Sequence, residues 1–381
     1  MKTYLTVVCI LSSAFGIWLV LCTVLNAVRF HRINKRGRKH ILRDRPLVSV
    51  IIPARNEEEN LPSLLESMTG QEYDNIEILV ADDRSTDRTW EIIREYEAKD
   101  TRVHGYRTEK GKYSSHGKMN AMLSLIPHAK GKYLLCTDAD TIHGKKSILN
   151  ALKIMESGHY DILSGFPAEY SSSYAARTIT ASMVFSNVCI PHFIFNTLHL
   201  SSFAIGIGQF IMMKKSSYDE VGGYGKLDGQ ICDDLGIIKA FMKKRKRYAF
   251  TTLSDYVSCR MYETGKDAFR GIERSLAGVF PPSVWMFLFL VVAVMFLLTV
   301  SWAPLLTPLY LAYGETKMLA LVLIGWLCTF MSWYTAARCL KFRISTSLSG
   351  PLTITTICAM YLHSVFTRLR GKKFVWKGDE V

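Results

Sequence analysis

A long run without charged residues near the start of the chain restricts its fold more than any other feature. The residues from Tyr4 to Val28 include no Asp, Glu, Lys or Arg. A helix rises about 1.5 Å per residue, so a helix of this length crosses a bilayer core of about 30 Å with some tilt. A signal peptide is the alternative, but its apolar core is normally only about 7–15 residues long. The sequence therefore predicts an uncleaved transmembrane anchor over residues 1–28.

A basic segment follows this anchor directly and predicts its orientation. By the positive-inside rule such a flank stays in the cytoplasm. It would also attract anionic membrane lipids, at about 1 kcal/mol per basic residue near the surface. We therefore expect a juxtamembrane linker over residues 29–45 and a cytoplasmic domain after it. The basic residues are Arg29, Arg32, Lys35, Arg36, Arg38, Lys39, Arg43 and Arg45.

The C-terminal region, residues 281–381, is apolar again and predicts a multi-pass protein of the cell membrane. Uncharged runs predict spans near residues 285–311 and 318–337. The segment near residues 344–366 is apolar but rich in Ser and Thr, and a basic tail follows it. A third crossing would place that tail outside, against the charge rule, so a re-entrant and a spanning segment both stay open.

The basic balance and the cysteines exclude several other classes. The net charge is +14, but there is no zinc-finger spacing, no RNA-binding aromatic signature and no helix-turn-helix pattern, so we expect no nucleic-acid partner. None of the nine cysteines forms a C-x-x-C pair. This usage fits a reduced, cytoplasmic domain and neither a zinc site nor a disulfide framework.

Between residues 46 and 280, short apolar runs alternate with helical patterns. This alternation predicts an α/β fold with a Rossmann-like, mostly parallel, doubly wound sheet and helices on both faces. One helix is expected to begin at a Thr86 or Asp87 cap. Ligands of such sheets bind at the carboxyl ends of the strands. The predicted strands are Val48–Ile52, Ile76–Ala81, Tyr133–Thr137 and Asp161–Gly165.

Polar clusters stand at three of these strand ends. Asp138 and Asp140, after the third strand, are two residues apart and so point to the same side. Two such carboxylates suit a divalent metal, Mg²⁺ or Mn²⁺, that bridges to a diphosphate. A solvated turn is the alternative, but polar clusters at three strand ends at once argue against it. The other two clusters run from Pro53 to Glu57 and from Asp82 to Ser85.

Lys118 begins a further helical pattern. Its ammonium and the helix N-terminus would both favour a phosphate group. The alternative interpretation is an ordinary solvated lysine in the first turn of a helix.

These clusters together resemble the motifs of family 2 glycosyltransferases with the GT-A fold. The motifs occur in the order typical of the family, across residues 46–275. The basic pair of one motif is Lys here where the family has Arg, and the acidic base element reads D-D here where the family usually has E-D. The matching stretches are Val48 to Glu58, Asp82 to Asp87 (D-D-x-S-x-D), Gly117 to Ala121 (G-K-x-x-A), Asp138 to Asp140 (D-x-D), Lys214 to Gly223, and Asp233 to Ile237.

One subgroup is the most similar. Arg260-Met261-Tyr262, Arg274-Ser275 and Trp376-Lys377-Gly378 resemble hopanoid-associated and carotenoid (diaponeurosporenoate) glycosyltransferases, which implies a lipid-like acceptor. The Q-x-x-R-W motif of the processive synthases is missing, which argues against polymer synthesis.

The resemblance implies a role for each cluster. Asp234 is expected to act as general base on the acceptor hydroxyl, with Asp233 as a neighbour whose charge raises its pKa. The reaction is expected to be one displacement with inversion. Arg260 would pair with the diphosphate, or with a surface carboxylate. The residues expected to contact the nucleotide-sugar donor are Pro53, Ala54, Arg55, Glu57, Asp82, Asp83, Lys118 and Asp138.

The stretch from Thr178 to Met213 is uncharged apart from its histidines. A single crossing would separate Asp138 from Asp234, so we expect interfacial helices over residues 178–213, broken near Pro191; plain core helices are the alternative. Gly208 and Gln209 are then expected in a tight loop near the acceptor.

Other functions remain as alternatives. A glycosyltransferase that acts on polyprenyl phosphate or in surface polysaccharide synthesis is the runner-up. A sugar nucleotidyltransferase would typically have a G-x-G-x-R signature where Pro53-Ala54-Arg55 stands. A non-catalytic membrane scaffold would not need its acidic clusters intact.

Overall fold

The computed structural model describes residues 1–171, 173–227, 233–277, 284–371, 375–376 and 379–380. The chain divides into two compact units. The sheet unit comprises residues 29–169, 192–261 and 374–381, and the helical unit comprises residues 1–28, 170–191 and 262–373. The predictions on Cys232, on the domain boundary at residue 280, on the basic Lys372 and Lys373 and on Lys377-Gly378 lie outside the described residues.

The strands have the following bounds. They are β1 (Val48–Ala54), β2 (Ile76–Asp82), β3 (Val103–Arg107), β4 (Tyr133–Cys136), β5 (Thr141–His143), β6 (Ile162–Phe166), β7 (Ala168–Glu169), β8 (Ile211–Lys214), β9 (Tyr248–Thr252), β10 (Val257–Cys259), β11 (Val375–Trp376) and β12 (Asp379–Glu380).

The α-helices have the following bounds. They are α1 (Lys2–Lys39), α2 (Leu61–Thr69), α3 (Thr89–Lys99), α4 (Gly117–Leu125), α5 (Ser147–Gly158), α6 (Tyr174–Thr180), α7 (Ser182–Cys189), α8 (His192–Thr197), α9 (Lys215–Val221), α10 (Asp233–Lys243), α11 (Gly265–Ala277), α12 (Val284–Trp302), α13 (Thr307–Ala312), α14 (Thr316–Cys339), α15 (Ser345–Leu348) and α16 (Gly350–Leu369).

A seven-stranded sheet with the order β3-β2-β1-β4-β8-β6-β9 forms the centre of the sheet unit. β1 pairs in parallel with β2 and β4, β2 with β3, and β6 with β9. β8 runs antiparallel to both of its neighbours, β4 and β6. A second sheet has the order β5-β10-β7. The mostly parallel α/β fold expected from the sequence is therefore confirmed.

Helices cover both faces of this sheet. Alternate residues of β1, Val48, Val50 and Ile52, are fully buried in one apolar cluster with α2, α3 and α5. Helix α4 packs on β1 and β2 but adds no residue to that cluster, so it lies on the opposite face. Each large apolar side chain buried in this way contributes about 1.5–3 kcal/mol.

Small and polar residues hold the helices of the helical unit together. A Cβ added at Gly16 of α1 would lie 2.3 Å from the carbonyl oxygen of Gly325 in α14, so the two backbones meet where neither residue has a side chain. The amide of Asn26 donates to the carbonyl oxygens of Asn187 and Ile190, both at 2.7 Å. These contacts fix α1 beside α14 and the C-terminal end of α7.

Three helices in the described part of the chain are long and apolar enough to cross a membrane. They are Lys2–Lys39, Phe287–Ala312 and Thr316–Cys339, and α16 is not among them. They overlap the segments predicted to span at the N-terminus and near residues 285–311 and 318–337, and the crossing of a membrane by these segments stays a prediction.

Several predicted boundaries differ from the observed ones. β1 continues through Pro53 to Ala54, because its pairing with β2 extends to the pair Ala54–Asp82. The predicted cap of α3 was wrong: the helix begins at Thr89 after Arg88, and Asp87 instead accepts from the Thr89 amide at 3.0 Å. In the segment 178–213, α7 ends at Cys189, α8 begins at His192, and the antiparallel β8 closes it.

Candidate active site

The carboxyl ends of β1, β2 and β4 lie side by side at one edge of the sheet. The register pairs Ala54 with Asp82 and Ile51 with Cys136. The amide of Asp83 donates to the Ala54 carbonyl oxygen at 2.8 Å. The polar clusters that follow these strands in the sequence therefore share one edge.

The loops after β1 and β2 interlock through hydrogen bonds. The Asn56 amide donates to Ser85 Oγ at 3.0 Å, and the Thr86 amide donates to Asn56 Oδ1 at 2.8 Å. Asn56 and Arg84 both adopt the left-handed backbone region, with φ of 52° and 59°. That region is uncommon for residues other than glycine, so the bonds between the loops hold a strained conformation.

Arginine side chains neutralise Asp82 and Asp83, each of which is buried at 2% exposure. Arg84 Nε lies 3.1 Å from Asp83 Oδ1, and Arg55 Nη1 lies 3.7 Å from Asp83 Oδ2. Arg107 Nε lies 3.7 Å from Asp82 Oδ2. The negative charges at the end of β2 are thus balanced within the protein.

Lys118 lies between two acidic elements that are far apart in the sequence. Its Nζ is 2.8 Å from Asp138 Oδ1, after β4, and 3.6 Å from Asp233 Oδ2, at the start of α10. Although burial by itself lowers the pKa of Lys118, these carboxylates together raise it well above its usual value. The ammonium therefore stays charged, and it lies at the first turn of α4 as the sequence predicted.

Gly208 marks the point where these groups converge. A Cβ added there would lie 3.5 Å from Lys118 Nζ and 3.6 Å from both Asp138 Oδ2 and Asp234 Oδ2. The neighbouring carbonyl oxygen of Gln209 accepts from Thr137 Oγ1 at 2.9 Å, which ties the loop before β8 to the end of β4. The predicted acceptor loop and both acidic elements are thus in one place.

Burial alters the acid strength of Asp234. Burial, together with the adjacent charge of Asp233, raises the pKa of Asp234 to about 7, against the opposing effect of Lys118. Its Oδ1 accepts from the Leu235 amide at 2.7 Å. A carboxylate with a pKa near neutrality is suited to accept a proton from a hydroxyl.

Asp140 fits the prediction of a cation ligand in its charge and bonding. Its Oδ1 is buried without a hydrogen-bond partner among the described residues. Burial, with the charges of Asp138 and Glu57, raises the pKa of Asp140 to about 7. A divalent cation would relieve both conditions. In the described ranges, no three His, Cys, Asp or Glu side chains form a metal-binding group by themselves. Oxygen atoms of a bound ligand would therefore have to complete the coordination of a cation at Asp140.

Glu169 is an acidic residue that the sequence reasoning missed. It is 6% exposed, and neither carboxylate oxygen has a hydrogen-bond partner in the described part of the chain. Burial, with the charge of Asp140, raises the pKa of Glu169 well above its usual value. It pairs across the second sheet with Cys259, whose thiol contacts Asp140. The rule that selected Asp138, a polar residue directly after a strand, did not reach Glu169, which ends the two-residue β7 three residues after β6.

Two other residues complete the surroundings. The Arg260 amide lies 3.5 Å from the Asp140 carbonyl oxygen, while its side chain is exposed. Tyr224, which the sequence reasoning also missed, is fully buried and bonds to Cys136 at the end of β4. Tyr224 directly follows the Gly222-Gly223 motif, which was the available signal.

A family comparison matches part of the sheet unit. Residues 49–222 match the model of the family described as Glycosyl transferase family 2. This stretch of the chain is therefore similar to that family, in agreement with the sequence motifs.

Two individual proteins are similar to parts of this chain. The 4,4'-diaponeurosporenoate glycosyltransferase of Staphylococcus haemolyticus (strain JCSC1435) is 30% identical over 234 residues, or 60% of this chain and 61% of that protein. The Escherichia coli UDP-Glc:alpha-D-GlcNAc-diphosphoundecaprenol beta-1,3-glucosyltransferase WfaP is 33% identical over 141 residues, or 37% of this chain and 51% of that protein. This chain thus spans less than two thirds of either relative.

Among solved structures, the mannosyltransferase PcManGT from Pyrobaculum calidifontis, in complex with GDP-Man and Mn²⁺, matches with 18% identity and a TM-score of 0.49. That match covers 95% of this chain and 100% of the other.

Proposed function

We propose that this chain is a membrane-bound, inverting glycosyltransferase that moves a sugar from a nucleotide-diphosphate donor to a hydroxyl of a lipid-like acceptor. The convergence of Lys118, Asp138 and Asp234 around Gly208 is the observation that carries this proposal. The Lys118 ammonium, which would face a diphosphate, therefore lies close to the Asp234 carboxylate, which would take the proton of the acceptor. The match to family 2 supports the class of reaction.

The donor side of this proposal lies at the ends of β1 and β2. Asp82 or Asp83 would accept a hydrogen bond from an N–H of the base or a hydroxyl of the ribose. Lys118 would lie against the diphosphate, where its charge and the start of α4 both favour an anion. The residues of the β1 end that would border the nucleotide are Pro53, Ala54, Arg55 and Glu57.

Asp138 and Asp140 would hold the divalent cation, Mg²⁺ or Mn²⁺. When bound, the cation supplies Lewis-acid neutralisation of the leaving diphosphate. The buried, unpartnered Oδ1 of Asp140 supports this assignment. Arg260, whose backbone adjoins Asp140, would add a second positive charge beside the diphosphate.

On the acceptor side, Asp234 would take the proton of the acceptor hydroxyl while the oxygen of that hydroxyl forms a bond to the anomeric carbon. The bond from that carbon to the diphosphate oxygen breaks in the same step, so the configuration inverts. Burial and the charge of Asp233 keep the pKa of Asp234 high enough for this role. Gly208 and Gln209 would border the incoming acceptor and leave room for it.

The nature of the acceptor is inferred from the apolar helices and from the relatives. One relative is named for 4,4'-diaponeurosporenoate and the other for a sugar on diphosphoundecaprenol. We therefore propose a lipid-like acceptor, with a polyprenyl-linked acceptor of surface polysaccharide synthesis as the second candidate. The basic residues 29–45 support a cytoplasmic position of the sheet unit.

Donor binding and hydrolysis on the purified, detergent-solubilised chain test this proposal first. A panel of UDP-, GDP- and dTDP-sugars would be titrated with Mn²⁺ or Mg²⁺ and again with EDTA, with the double variant Asp138→Asn/Asp140→Asn as the control. We expect one sugar nucleotide to bind and to hydrolyse slowly in a metal-dependent way, and the control to lose both. Equal binding by the control, or no binding by the folded protein, would contradict the proposal.

A further inference from the structure

A basic cavity lies apart from the candidate active site, between the cytoplasmic end of α1 and the end of α5. Its volume is about 610 Å³. None of its lining residues belongs to the acidic clusters described above. The lining residues are Arg32, Lys35, Arg36, Lys39, His40, Glu156, Ser157 and His159.

The cations of this cavity share one face of α1. Residues 32, 35, 36 and 39 are spaced at i, i+3, i+4 and i+7, so their side chains project in the same direction. All of them are exposed, and none has an ion pair or a side-chain hydrogen bond among the described residues. Like charges at this spacing repel each other. An unbalanced row of cations therefore favours an anionic ligand.

The cavity has little negative charge of its own. Glu156 is the acidic residue of its lining, and that carboxylate already bonds to the Tyr133 hydroxyl and lies 3.9 Å from Lys132 Nζ. The opposite wall, the end of α5, contributes His159 in the left-handed conformation, with φ of 50°. The balance of charge in the cavity is strongly positive.

Packing fixes the two walls against each other. A Cβ added at Gly37 would lie 2.6 Å from Ile154 Cγ1, so α1 touches α5 where it has no side chain. Ile33 is part of the apolar core, and the Asn34 amide donates to the Thr252 carbonyl oxygen at 3.0 Å. The cavity is thus a preformed feature of the fold, and its cations are not merely a charged stretch of flexible linker.

The position of the cavity in the sequence selects the kind of anion. Arg32 follows the end of the uncharged run at Val28 by one helical turn, about 6 Å along the axis. The polar layer on each side of a bilayer core is on the order of 5–8 Å thick. Arg32 therefore reaches the level of lipid phosphates.

We propose that this cavity binds the phosphate-bearing headgroup of an anionic membrane lipid. The proposal rests on the membrane anchoring that forms part of the proposed function, but not on the transfer reaction. A bound lipid would hold the start of the sheet unit against the bilayer surface.

The test compares two pairs of basic residues in the same segment. Arg32→Gln/Arg36→Gln removes both arginines of the cavity, including the one at the level of lipid phosphates, and Arg38→Gln/Arg43→Gln removes two exposed charges outside it. The full chain in neutral detergent would be titrated with fluorescent phosphatidylglycerol. Inorganic phosphate and glycerol phosphate would be added as soluble competitors. Both pairs change the net charge equally, so only a built site separates them.

We expect the cavity pair to bind phosphatidylglycerol about tenfold more weakly, as the loss of charge-assisted contacts implies, and the control pair to change by less than about twofold. Arg32→Lys/Arg36→Lys should retain binding, because it keeps both charges. Equal losses in both pairs would overturn the proposal in favour of diffuse attraction. Full competition by inorganic phosphate at the concentration of the lipid would overturn the assignment to a lipid.

Sugar-nucleotide binding by both variants, measured in parallel, separates this proposal from the proposed function. We expect it to match that of the unmodified chain, since the cavity contains no donor residue. Even if neither the variants nor the unmodified chain bound a sugar nucleotide, the lipid titration would still test the proposal for the cavity.

Discussion

Two acidic pairs in the sheet unit have the same sequence, Asp-Asp, but opposite surroundings. Asp82-Asp83 is surrounded by Arg55, Arg84 and Arg107, and its charges are balanced inside the protein. Among the described residues, Asp233 and Asp138 both form their ion pairs with Lys118, and burial with the charge of Asp233 raises the pKa of Asp234 to about 7. The first pair holds the shape of the strand ends. The second pair retains an excess of negative charge and therefore has capacity for a ligand or a proton.

The sharpest test of this contrast is Asp234→Asn. An amide cannot accept the acceptor proton, so we expect transfer to fall by about 10²–10⁴-fold while donor affinity stays nearly unchanged. Turnover with a lipid acceptor and donor binding by calorimetry measure the two effects. Asp255→Asn, an exposed acid of the same unit, is the control. Loss of donor binding in Asp234→Asn to the same extent as in Asp140→Ala would show that the division of roles is wrong.

Asp140→Ala should affect the other step. Removing a proposed metal ligand should lower metal-dependent donor affinity by about 10–100-fold, the range seen when groups that support a bound metal are removed. In EDTA the variant and the unmodified chain should bind the donor equally weakly. The measurement is donor titration at several Mn²⁺ concentrations. An unchanged response to Mn²⁺ would contradict the assignment of Asp140.

The pH dependence of transfer should follow Asp234. The base acts in its ionised form, and its pKa is raised to about 7 by burial and by Asp233. The ionised fraction, and with it kcat/KM for the acceptor, should fall about tenfold per pH unit below 7 and level off above it. The pH–rate profile at saturating metal measures this. A profile that stays flat through pH 7 would contradict the proposed base.

Asp83→Asn should lower stability in addition to any effect on donor binding. It removes the charge of a buried carboxylate that contacts Arg84, Arg55 and the Thr108 hydroxyl, so the free energy of unfolding should fall by about 1–3 kcal/mol. Asp138→Asn removes one of several carboxylates around Lys118 and also relieves their mutual repulsion, so it should change the free energy of unfolding by less than about 1 kcal/mol. Denaturant unfolding of both variants measures the difference. Equal losses would remove the contrast between the two acidic pairs.

Much of the sheet could be predicted because its signals are local. The apolar runs at Val48, Ile76 and Tyr133 each became a strand, since a buried parallel strand needs little more than a short apolar segment. The antiparallel β8 was not predicted. It pairs with β4, which is distant in the sequence, and a local periodic pattern contains no information about such a pairing.

The sequence motifs selected the candidate residues of the site, and their roles stay predictions, whereas the arrangement of these residues could not be predicted. Asp138, Lys118 and Asp234 stood out by motif, whereas Glu169 stands in a two-residue strand with no motif around it. Its unusual property is burial without a partner, and burial depends on the second sheet, which only long-range pairing creates.

Local sequence patterns were enough to predict the apolar helices, several strands of the sheet unit and the acidic residues at their ends, because hydrophobic periodicity and strand-end polarity depend on neighbouring residues. Which of these acids have their charges balanced depends on the fold. Gly208 lies beside Lys118 only because β8 enters the sheet next to β4. The acid strength of Asp234 follows from burial and from neighbours brought there by the fold, and no local stretch of sequence contains that information.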